Sequence, residues 1–175
     1  MGGFALWLCA DGNAQSQEHL YAPPFQKGKR FLVVQGFNGN YSHNTPIARY
    51  AVDLALPEGE DVCAARAGTV IDLYDGNETK KSHFVYIQHN DGSIGDYEHL
   101  LPFSIQVGMY QEVEEGECFA KSGNTGNSSG PHLHFAVLKY ENQFSFKLIS
   151  IPFRFKYQTE KIMRYNLMWI NNQLS

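Results

Sequence analysis

From Phe31 onward the chain is a succession of short runs in which apolar and polar residues alternate, each run closed by Gly, Asn or Pro. A two-residue period turns neighbouring side chains to opposite faces of a strand, so the pattern predicts a sheet rather than helices. The expected strands cover residues 31–35, 49–55, 62–65, 69–74, 84–88, 93–99, 118–121 and 132–138, with a Glu-rich turn around 114–117 and a further edge between 146 and 155. In the second of these, alternation assigns Arg49, Ala51, Asp53 and Ala55 to one face and Tyr50, Val52 and Leu54 to the other. Residues 1–30 read as a lead-in, in which Pro23-Pro24 and Gly28 mark turns rather than a regular element. Its apolar start, Met1 to Ala10, lacks the basic region of a secretory signal and reads as an internal strand. Beyond Gln158 the pattern weakens, and a short helix is expected. The organisation is therefore a lead-in (1–30), one antiparallel, mainly β domain with little helix (31–155), and a C-terminal tail (156–175).

Composition narrows this picture. A chain of 175 residues with 43% hydrophobic and 18% charged residues is long enough for one packed core and unlike a disordered segment. The 12 Phe, 10 Tyr and 16 Gly favour strands joined by tight turns. A net charge of -4 supplies no basic footprint, so nucleic acid is not an expected partner. No apolar run approaches the roughly 20 residues that span a bilayer, so no transmembrane segment is expected. Cys9, Cys63 and Cys118 match no zinc-knuckle spacing. Cys63 and Cys118 lie in alternating stretches where a buried thiol is the usual reading, and a bridge between them is open only in an oxidising compartment.

The chemistry gathers on histidines. His132 and His134 are two apart on a predicted strand, so both imidazoles leave the same face and can reach one point. The Gly-rich loop before them ends in Pro131, which fixes where the strand begins. Asp53 is flanked by Val52 and Leu54, and a carboxylate in such surroundings is costly unless paired or bound to metal. His43 lies upstream beyond Pro46, where a hairpin could return it to Asp53. Two His and one Asp with a fourth position left to water is the ligand set of an open catalytic zinc site; a closed structural site would want four protein ligands. His99 ends a strand and reads either as a loop histidine or as a group beside the site. His83 and His89 flank a strand next to charged residues and are expected on the surface.

The run Gly123-Asn-Thr-Gly-Asn-Ser-Ser-Gly-Pro-His-Leu-His-Phe135 resembles the C-terminal signature of the lysostaphin-type metallopeptidases, family twenty-three of the metallopeptidases. Tyr50-Ala-Val-Asp-Leu-Ala-Leu-Pro-Glu-Gly59 with Val62-Cys-Ala-Ala-Arg-Ala-Gly-Thr-Val70 is similar to the first metal-binding segment of that family, and Tyr97-Glu-His-Leu100 to its middle histidine motif. The resemblance implies a lysostaphin-type β fold, one zinc ion held by His43, Asp53 and His134, and His99 and His132 as catalytic histidines. The residues themselves agree on ligand type but do not divide His132 from His134 by role. The resemblance also implies zinc-dependent hydrolysis of peptide bonds in bacterial peptidoglycan by a metal-bound water, in the cell envelope, periplasm or outside the cell. Compact members place the first histidine four residues before the aspartate. Arg49 fills that slot here, and an always-protonated guanidinium cannot ligate zinc, so the ligand passes to His43. Two alternatives accompany this reading. One is a catalytically silent module that binds peptidoglycan or regulates a cell-wall amidase; the other is a D-Ala-D-Ala carboxypeptidase-type zinc peptidase, which the Ser42-His43 and Ala51-Val-Asp53-Leu54 segments also resemble.

Overall fold

The computed structural model describes residues 19–156 and 168–171, and these hold thirteen strands and no helix. The main sheet runs, in spatial order, β13 (Met168–Asn171), β2 (Arg30–Gln35), β3 (Val52–Leu54), β10 (Leu133–Tyr140), β7 (Ile94–Glu98), β6 (Phe84–Gln88), β5 (Gly68–Tyr74) and β8 (Glu112–Val113). Every pairing in it is antiparallel. β11 (Leu148–Ser150) joins β10 beyond the stretch that β3 occupies. Two small ladders complete the fold: β1 (Leu20–Tyr21) runs parallel to β12 (Arg154–Phe155), and β4 (Asp61–Cys63) pairs antiparallel with β9 (Cys118–Lys121).

β10 shows how alternation divides the molecule. Leu133, Phe135 and Val137 turn into the large core, where Phe135 meets the rings of Tyr97, Phe153 and Phe155 at 5.1, 5.2 and 5.8 Å. Edge-on and offset contacts of this kind add to the area an aromatic ring buries. His134, Ala136 and Leu138 alternate to the other face. There Ala136 and Leu138 join Ala51 and Ile94 in a small second cluster, and His134 is left beside Asp53. One strand thus anchors itself by its odd positions and presents chemistry by its even ones.

Four expectations need correction. Residues 45–50 form a turn rather than the start of a strand, because the Thr45 carbonyl accepts the N–H groups of Ala48 and Arg49. Only Val52–Leu54 remains as strand, and all three residues are buried. The tail contains β13 where a helix was expected: Ile170 is fully buried and the strand pairs with β2. The rest of that expected helix, and the Met1–Ala10 strand, lie outside the described residues. Within the lead-in, Tyr21 forms part of β1, and both Tyr21 and Phe25 belong to the core. Cys63 and Cys118 are a disulfide rather than separate thiols, since β4 and β9 bring them opposite each other at a register shift.

Candidate metal centre

The ladder between β3 and β10 sets Asp53 directly opposite His134. His134 Nδ1 lies 2.8 Å from Asp53 Oδ1, and His43 Nε2 approaches the same oxygen at 3.2 Å. The candidate ligand atoms of His43, Asp53 and His134 all lie within 4.8 Å of one another. His43 is fully buried and arrives from the loop after β2. Its Nδ1–H donates to the Gly36 carbonyl at 2.9 Å, which fixes the tautomer and leaves the Nε2 lone pair for the site. Arg49 is exposed on the turn and takes no part in this group.

His99 and His132 stand beside these three. Their ring centroids are 4.6 Å apart, and that of His99 is 5.9 Å from that of His134. His99 follows β7 with φ of 63°, a backbone conformation uncommon outside glycine, which ends the strand and turns the imidazole inward. Its Nδ1–H donates to the Thr125 carbonyl at 2.7 Å. That carbonyl is placed by the 123–131 loop, where Gly126 has φ of 74° and a Cβ there would come within 2.8 Å of the Ser82 backbone. His132 repeats the device, its Nδ1–H donating to the Gly130 carbonyl at 2.8 Å. Both rings therefore hold Nε2 out of these bonds, that of His132 standing 3.9 Å from Asp53 Oδ1. His134 is the exception, spending Nδ1 on Asp53. This difference separates the two histidines of the pair, which spacing alone could not do.

Electrostatics follow from the geometry. Burial alone would raise the Asp53 carboxyl, but hydrogen bonds and charge from His134 and His43 outweigh it and hold the group well below the usual carboxylate range. Burial disfavours a charged His134, yet Asp53 at contact distance raises its pKa to about 9. Burial and the neighbouring His132 and His134 push His99 down to about 4. The cluster faces a groove of about 470 Å³ between Val34, Tyr41 and Ala55 on one side and the 127–131 loop on the other.

Sequence reasoning did not single out Gln35, whose side-chain amide donates to Asp53 Oδ2 at 2.8 Å. A polar residue at a strand end carries no distinguishing signal, and neither do the backbone carbonyls that orient the histidines. His83 and His89, expected on the surface, are buried away from the cluster. β6 lies inside the sheet, so its flanks are covered. His83 Nδ1 pairs with Asp75 at 3.2 Å, and His89 Nδ1 with the Ala67 carbonyl at 2.9 Å.

Two imidazoles and a carboxylate brought together on an antiparallel β fold, two of the three lining a groove, are a donor set that could hold a metal ion. The chain belongs to Peptidase family M23, whose sequence profile matches residues 48–146. It is 33% identical over 122 residues to the peptidoglycan DD-endopeptidase ShyB of Vibrio cholerae, covering 66% of this chain and 26% of that protein. It is 36% identical over 84 residues to the DD-carboxypeptidase/endopeptidase Mpg of Neisseria meningitidis, covering 48% and 18%. A zinc-containing peptidase from Vibrio cholerae superimposes with a TM-score of 0.52 at 27% identity, covering 69% of this chain and 37% of that one. The chain matches less than a third of the length of each of these curated relatives.

Proposed function

We propose that this protein is a zinc-dependent endopeptidase that hydrolyses peptide bonds of bacterial peptidoglycan. The observation that carries the reading is the convergence of His43, Asp53 and His134, whose ligand atoms lie within 4.8 Å of one another, with Asp53 and His134 lining an open groove. The donor set fits zinc: two nitrogens and one carboxylate oxygen, with the groove side open for water or substrate. Bound there, zinc supplies a Lewis acid that polarises a carbonyl and makes water nucleophilic near neutral pH.

The remaining work falls to His99 and His132. Each holds its ring through Nδ1, so the neutral ring offers Nε2 to the groove as a proton acceptor. His99 stays neutral at physiological pH, because burial and its imidazole neighbours disfavour its charge. One ring takes a proton from the attacking water. That same ring, now carrying the proton on Nε2, steadies the developing oxyanion and passes the proton to the leaving amine.

Internal cleavage is favoured over removal of a terminal residue. Among the described residues lining the groove none is Lys or Arg, so no cation is placed to hold a free C-terminal carboxylate. A silent binding module is disfavoured because ligands and flanking imidazoles are all present. The Cys63–Cys118 disulfide and the peptidoglycan enzymes among the relatives support a place in the cell envelope.

The test is digestion of purified peptidoglycan by zinc-loaded protein, with mass spectrometry of the released fragments. Cleavage inside cross-links, abolished by chelation and restored by zinc, is expected. Release of terminal D-Ala alone would establish the carboxypeptidase reading, and tight binding without cleavage would establish the module.

A further inference from the structure

We propose that Gln35 is the positioning residue that locks the loop-borne ligand His43 to the strand-borne ligand Asp53; the inference rests on the metal site proposed above. The two ligands are ten residues apart and belong to different elements, so no single strand fixes their spacing. Gln35 joins them. Its amide nitrogen donates to Asp53 Oδ2 at 2.8 Å and to Ser42 Oγ at 2.9 Å. Its amide oxygen accepts the N–H groups of Tyr41 at 3.1 Å and Ser42 at 3.4 Å. Two donors and two acceptor sites are all that a side-chain amide has, and each is used. The partners on one side are the residues immediately before His43, and on the other the carboxylate that His43 approaches.

Local structure prepares this contact. The ladder between β2 and β3 shifts register between Val33 and Gln35, which brings Gln35 opposite Asp53 and leaves Val34 exposed. A bulge of this kind re-aims the following side chain. Gly36, next in the chain, supplies the carbonyl that orients His43. At Gly39 a Cβ would lie 2.4 Å from Gln35 Cγ, so the loop closes over this side chain only because position 39 has none. Gln35 is 5% exposed and offers little to substrate directly. Its effect passes through the ligands, by holding one carboxylate oxygen and the loop so that Asp53 Oδ1 and His43 Nε2 stay convergent. Partners that orient metal ligands in this way typically change metal affinity or activity by about 10–100-fold when removed.

The experiment measures zinc dissociation constants by competition with a chromogenic chelator, together with the melting midpoint of the metal-free protein. The proteins are wild type, Gln35→Met, Gln35→Glu, Gly39→Ala and Val33→Ala. Gln35→Met keeps the bulk without the hydrogen bonds and should bind zinc about 10–100-fold more weakly. Gln35→Glu places an acceptor against Asp53 and should be at least as weak. Gly39→Ala retains the Gln35 amide but displaces it, giving a loss in the same direction; it also serves if the Gln35 variants fail to fold. Val33→Ala trims a buried side chain on the same strand. It should lower the melting midpoint with zinc affinity unchanged, separating positioning from general stability. Zinc affinity within threefold of wild type in Gln35→Met or Gly39→Ala overturns this inference and leaves the metal site standing. A wild-type protein that binds no zinc overturns both.

Discussion

The two halves of the candidate metal centre are built differently. Asp53 and His134 are neighbours across a sheet ladder, so their approach is fixed by the backbone hydrogen bonding that makes the sheet. His43 comes from a loop, held by one bond to Gly36 and by the neighbouring contacts to Gln35. The strand half inherits its precision from the fold, whereas the loop half must be assembled from a few local contacts. Tolerance to change should therefore differ between them, although both contribute one face of the same site.

The largest effect should come from the strand half. Asp53→Ala or His134→Ala is expected to abolish zinc retention and reduce peptidoglycan cleavage to background, because either removes a ligand. Metal analysis after desalting checks this; one zinc per chain in either variant would refute the ligand assignment. His99→Ala and His132→Ala test the imidazoles that flank both halves. Each should keep its zinc and lose about 10²–10⁴-fold in turnover, the usual worth of a proton-transferring group. A His132 variant with full activity would remove that residue from the chemistry.

A smaller effect distinguishes the metal-free from the loaded state. Asp53 raises the His134 pKa from 6.5 to about 9 in the metal-free protein. A raised folded-state value contributes stability that is complete below 6.5 and is lost as pH rises through about 9. The depressed Asp53 value contributes above its ordinary 3.8 and is lost as pH falls below it. The chelated protein should therefore draw most from this pair between about pH 4 and 6.5, and its melting midpoint should decline towards pH 9. Zinc competes with the His134 proton, so its apparent affinity should rise about tenfold per pH unit over pH 7–9, and the loaded protein should escape the decline. Parallel melting curves with and without zinc would contradict this coupling. The smallest effect belongs to Arg49→Ala. The residue occupies the ligand slot of compact relatives but is exposed on the turn, so zinc affinity should hold and stability should stay within about 0.5 kcal/mol. A marked loss of zinc would give Arg49 a role that the geometry does not.

The same division explains what could be read before the structure was known. His132 and His134 share a strand face by simple periodicity, and Asp53 stood out as a charge between Val52 and Leu54. Both signals are local, and the structure brings Asp53 and His134 together in the candidate metal group with His132 beside them. The loop half left a weaker trace: a hairpin could bring His43 back, but nothing in the spacing identified Gln35 or the Gly36 carbonyl as what holds it. Hydrogen bonds to backbone carbonyls leave no imprint on composition, so the contacts from His99 to Thr125 and from His132 to Gly130 were equally invisible. His83 and His89 are buried where their neighbours in sequence predict exposure, because the burial of a strand's flanks depends on its place in the sheet, not on its own residues. Cys63 and Cys118 pair through the approach of β4 and β9, a tertiary event between residues 55 apart in sequence.

That bridge closes a covalent ring containing β5, β6, β7 and His99, while Asp53 precedes the ring and His134 follows it. Tying off a loop of this length restricts the unfolded chain by about 4 kcal/mol in the chain-entropy view. That is a sizeable share of the roughly 5–15 kcal/mol by which ordinary domains outlast their disordered forms. A freshly made, reduced chain must do without that contribution, so a domain of this design gains its full ruggedness only where thiols are oxidised; the drop in melting midpoint on adding reductant measures how strongly maturation depends on compartment.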